Sequence, residues 1–109
     1  MHRVRSVDLA VYADVLAARA SALAARLERE RDAIRQAAIE RRARRSLDPE
    51  TVGRLEALGL LLERDGQAAR AAVRELSVDL AAVEALQAWV EARLFEARED
   101  VDRPARRAG

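Results

Sequence analysis

Residues 69–97 read ARAAVRELSVDLAAVEALQAWVEARLFEA, and the spacing of apolar and small residues in this stretch decides the fold. Ala69, Val73, Leu76, Leu80, Val83, Gln87, Val90, Leu94 and Ala97 recur at alternating steps of four and three. The rhythm extends back through Leu55, Gly59, Leu62 and Gly66, and forward to Val101. A stripe with a period of about 3.5 residues is the seam of a coiled coil, one face of a long helix that needs a partner helix.

The first part of the chain carries a matching seam. Leu9, Ala13, Leu16, Ala20, Leu23 and Leu27 lead into Glu30, Ile34 and Ala37, with Tyr12 beside them. Ser6 is a good N-cap, and Asp8 suits the positive end of the helix dipole. Arg41, Arg42, Arg44 and Arg45 crowd the far end, where cations meet the negative pole. Between the two seams, Asp48 can cap a helix that Pro49 and Glu50 begin, and Leu47 and Val52 occupy the positions of a hydrophobic staple.

So short a connection returns the second helix antiparallel to the first. The sequence thus predicts an all-α fold, a long coiled-coil-like antiparallel hairpin in one domain over residues 1–102. It has a helix of about 7–45, a turn at 46–48 and a helix of about 49–101. From Arg103-Pro104 onward, residues 103–109 read as a disordered basic tail. A break at Asp65-Gly66 would give three helices instead, over 7–45, 49–64 and 67–101. Gly66 and Gly59 both fall on the seam, where a small residue lets helices approach, so the unbroken helix is the expectation.

Folding about 46–48 sets Leu27 against Ala69, Leu23 against Val73, Leu16 against Leu80 and Ala13 against Val83. Large faces small or medium, which packs. The first helix then runs out opposite Ala88, and Trp89 to Val101 overhang by about 20 Å. Gln87 either fixes register from the seam or lies at its edge with Leu86 turned inward.

Leu58, Leu60 and Leu61 around Leu62, and Leu86 and Trp89 around Gln87, exceed what one seam uses. A lone two-helix hairpin leaves much of each stripe wet. A homodimer forming an elongated four-helix bundle closes it, with Leu86, Trp89, Val90, Leu94, Phe95 and Val101 as the contact residues.

Composition narrows the function. Aromatic residues make up 3% of the 109-residue chain and hydrophobic residues 50%, many of them Ala, which favours thin helices over a large core. Every one of the 20 basic residues is Arg, and Asn is absent as well as Lys. With two Ile and one Phe besides, this is the signature of GC-rich coding rather than of Arg chemistry. Residues 1–45 hold eleven Arg against six acids, and residues 46–102 hold six Arg against thirteen acids. Arms of opposite sign suit each other.

There is no Cys, hence no disulfide, thiol chemistry or zinc knuckle. No apolar run approaches the length of a membrane span. Asp8 and Asp14 interrupt any signal-peptide core after the basic start, so a cytoplasmic location is expected, with signal-less secretion also compatible.

Catalytic chemistry has no foothold. The only His is His2, and the four Ser have no His to activate them. Neither a Glu-x-x-His pair nor a Gly-rich phosphate loop occurs. No catalytic residue, metal, cofactor or small-molecule substrate is expected. Glu30 is the one acid on the first seam, facing the region of Gly66.

The expected function is a non-enzymatic protein–protein interaction module: an adaptor, assembly factor or secretion-type chaperone whose partners are itself and another protein. The alternative is a nucleic-acid-associated protein that contacts an anionic partner through Arg41, Arg42, Arg44 and Arg45, with no aromatic nearby to stack on a base.

Overall fold

The computed structural model describes the backbone of residues 6–62 and 66–108 and the side chains of 7–62 and 66–99. Expectations that rest on His2, on Asp65, or on the side chains of Ser6, Val101, Arg103, Arg106 and Arg107 fall outside it. The chain is all-α, a helical hairpin built from α1 (Ser6–Ser46), α2 (Pro49–Ala57) and α3 (Gly66–Ala108). No strand occurs among the described residues.

Asp48 starts α2 as the sequence suggests. Its backbone is extended, at φ −70° and ψ 155°, and its carboxylate accepts from the Thr51 backbone N–H at 3.1 Å and from the Thr51 hydroxyl at 2.7 Å. These donors, the hydroxyl first, hold the Asp48 carboxyl below the ordinary aspartate range.

The structure departs from the unbroken second helix, and the reason is Gly59. It sits at φ +73°, the left-handed region that a residue without Cβ enters freely. The Gly59 N–H bonds the Glu56 carbonyl at 3.0 Å, and the Leu60 N–H bonds the Leu55 carbonyl at 2.9 Å. This pair of bonds is the Schellman termination, which satisfies the last carbonyls of α2. The glycine assigned to close packing on a seam therefore works as a helix stop. The break lies at Leu58–Gly59, earlier than the suspected Asp65-Gly66.

Gly66 instead opens α3 against α1. A Cβ there would lie 3.7 Å from the Ala37 Cβ and 3.5 Å from Arg41 Nη2. Folding about 46–48 would have set Gly66 opposite residue 29. The offset of eight residues equals the eight that separate Ala57 from Gly66, now taken up by the connector. α3 also continues through Arg103 and Pro104 to Ala108, where a disordered tail was expected. A proline in a helix forfeits one backbone bond, and its Ala and Arg neighbours are strong helix formers.

The chain divides into two compact units, the first made of Met1–Ala24 with Val78–Gly109 and the second of Ala25–Ser77. The second unit buries Leu27, Ala37, Leu61, Ala69 and Leu76, together with Glu40. In the first, only Leu23 among the described residues is buried. The rest of that unit's seam is half-buried: Leu9, Ala13, Leu16 and Ala20 on α1, and Leu80, Val83, Gln87, Val90, Leu94 and Ala97 on α3.

Candidate interaction surface

The first unit carries the surface. α1 enters the second unit by its C-terminal part and α3 leaves it by its own, so within the first unit the two helices run antiparallel. Each residue turns an α-helix by about 100°. About a quarter-turn back from the seam, α1 presents Tyr12 and Val15 with Val11 beside them, and α3 presents Ala82, Leu86 and Trp89. Because the helices are right-handed and antiparallel, these two rows lie on the same side of the pair. Matching the ends of the half-buried seam, Leu9 with Ala97 and Leu23 with Leu80, sets Trp89 level with the turn of Val15 and Leu86 about one turn further along.

Every large side chain of this side is open. Trp89 is 66% exposed, Tyr12 57%, Val15 56% and Leu86 45%. The patch is bounded by exposed charges on the same side, Asp8 and Arg19 on α1, Asp79 and Arg93 on α3.

The expected contact residues thus divide. Leu86 and Trp89 sit on this side together. Val90 and Leu94 are half-buried on the seam between α1 and α3, and half-burial continues to Ala97. The half-burial of Val90, Leu94 and Ala97 departs from the uncovered overhang expected beyond Ala88. Phe95 is exposed but lies on the opposite side of α3. Tyr12, Val11 and Val15 were missed as members of the patch. The signal was present, since Val7, Val11 and Val15 recur every four residues off the seam, but relating them to Leu86 and Trp89 needs the offset. Gln87 occupies the seam position, half-buried, and donates to the Glu91 carboxylate at 3.4 Å, while Leu86 points outward.

The arginine cluster belongs to the second unit, and half of it is engaged there. Arg44 pairs with Glu56 and so ties the end of α1 to α2. Arg41 lies against the start of α3. Arg42 and Arg45 are exposed. The buried acid of this region is Glu40, 3% exposed, and not Glu30, which is half-buried. Glu40 stands on the same stretch of α1 as Ala37 and Arg41, beside the opening turn of α3, where the helix dipole favours negative charge. The connector adds an apolar tip: Leu61 is buried while Leu58, Leu60 and Leu62 are exposed.

Among the described residues no group of three or more His, Cys, Asp or Glu side chains could hold a metal ion, and no helix is long and apolar enough to cross a membrane. No protein-family model, curated protein or solved structure matches the chain.

Proposed function

We propose that this chain is a non-enzymatic helical interaction module that binds protein through the apolar side of its first unit. The observation that carries the reading is the coincidence of Trp89 and Leu86 with Tyr12 and Val15 on one open side of one helix pair. Aromatic residues are favoured anchors at protein interfaces, because a large rigid ring buries much area at little entropic cost. Four open apolar side chains, two of them aromatic, on a unit with one buried residue among those described are poorly explained by packing within the chain. Adaptor, assembly factor and chaperone are all roles for such a surface, and a cytoplasmic setting suits its composition.

The test is a photo-crosslinking amino acid placed at position 89 in the native host, with position 84, exposed on the far side of α3, as control. Protein adducts from 89 and not from 84 are expected. Equal yields, or none, would reject the reading. The nucleic-acid alternative has Arg42 and Arg45 to draw on, while Arg44 is occupied by Glu56. Nucleic-acid adducts from position 42 or 45 would favour it.

A further inference from the structure

We infer that the partner of this surface is a second copy of the same chain, paired face to face about a two-fold axis that lays the aspartates of one copy over the arginines of the other. The inference rests on the interaction-module reading and names its partner.

The first support is the pattern of charge at the corners of the patch. α1 carries Asp8 at one end and Arg19 at the other. α3 carries Arg93 at the end of Asp8 and Asp79 at the end of Arg19. Like signs therefore lie on diagonals. A face-to-face two-fold that aligns the helix axes of the two copies either lays α1 of one copy on α3 of the other, or lays each helix antiparallel on its own counterpart. The first exchanges the rows and the second exchanges the ends. Either exchange puts each aspartate corner over an arginine corner. An isologous interface has to be self-complementary in this sense, and such complementarity steers pairing and rejects other partners. A uniformly acidic or basic partner would meet two like corners. Glu96, a turn beyond Arg93, lies further round the helix toward the outer face.

The second support is the relief of the patch. The apolar centre supplies the means. Trp89 and Leu86 are large while Ala82, one turn before Leu86 on α3, and Ala22 across the face are small, so projections have recesses to enter.

Sedimentation equilibrium of the full chain tests this. The wild type should show twice the monomer mass. Asp8→Arg with Asp79→Arg makes all four corners cationic and should raise the dissociation constant by about tenfold or more, because every corner contact becomes repulsive. Adding Arg19→Asp and Arg93→Asp inverts the whole pattern, which is again self-complementary, and should bring the constant back to within about threefold of wild type. All four sites are exposed, and circular dichroism checks that helix content is kept. If the first pair loses helix, Arg19→Asp with Arg93→Asp replaces it, with the same loss expected from four anionic corners.

A monomeric wild type, a higher oligomer, or a fourfold inversion that pairs no better than the double variant overturns the inference. A monomer that still crosslinks a different protein from position 89 overturns the inference and leaves the module reading standing. A monomer that crosslinks nothing ends both.

Discussion

The two units are built from the same two long helices, yet they close in opposite ways. The second unit completes itself. It buries five apolar side chains and Glu40, caps α2 with Asp48, ends it with the Gly59 turn and ties it to α1 through Arg44 and Glu56. The first unit has a half-buried seam, one buried leucine and an open aromatic side. The difference is the presence of a third element. The second unit adds α2, tied to α1 through Arg44 and Glu56, and the buried Leu61, while the described residues of the first belong to α1 and α3 alone. Two helices alone bury too little, and what is left over becomes a binding surface.

Leu23 gives the sharpest way to break this contrast. Among the described residues it is the most deeply buried side chain, at 1% exposure, and the only buried one in its unit. Leu23→Ala should lower the unfolding free energy by about 3 kcal/mol in urea titration. A loss under about 1 kcal/mol would mean that the first unit's seam carries little of the stability.

The two glycines come next. Gly59→Ala forces a Cβ into the left-handed region and should cost about 1 kcal/mol in the same titration. Gly66→Ala should be neutral or slightly stabilising, since its Cβ would make ordinary contacts at 3.5 and 3.7 Å. Equal losses at the two sites would refute the separate roles given to them.

A smaller effect is expected at the ion pair that fastens α2. Arg44→Gln and Glu56→Gln should each cost under about 1 kcal/mol, and the double variant no more than the larger single loss, because the pair is partly exposed. Full additivity in that cycle would deny the contact.

The smallest effect is a pH dependence confined to the second unit. The Asp48 carboxyl has a lowered folded value, so its contribution is present above the unfolded value near about 3.9 and is lost as pH falls through the folded one. Amide exchange at Thr51 should accelerate below about pH 4 and lose that acceleration in Asp48→Asn. An unchanged profile in Asp48→Asn would remove the carboxylate from the cap.

Much of this was legible from residue spacing. The seams at Leu9 to Leu27 and at Leu80 to Ala97 give the helices and their antiparallel return, because periodicity reports burial directly. Asp48-Pro49 gives the start of α2, because capping is local chemistry. Gly59 was misread because a glycine on a seam satisfies two rules at once, close packing and helix termination, and only a backbone dihedral separates them. That one error carried the register with it. It moved the offset by eight residues and hid the neighbourhood of Val15 and Trp89. Leu86 and Trp89 could be picked out alone, since their exposure follows from their own helix. Tyr12 and Val15 could not, since joining them to the patch depends on how far one helix is displaced along the other.

The connector between Ala57 and Gly66 has a consequence for how this chain can vary. One residue inserted into α1 or α3 turns everything beyond it by about 100° and carries the seam off its partner, and only an insertion of about seven brings the face back. An insertion among the non-helical residues 58–62 leaves both helices in phase, and the start of α3 is already placed by Gly66 beside Ala37. Chains descended from the same ancestor should therefore differ in length freely at positions 58–62, and within α1 and α3 in steps of seven.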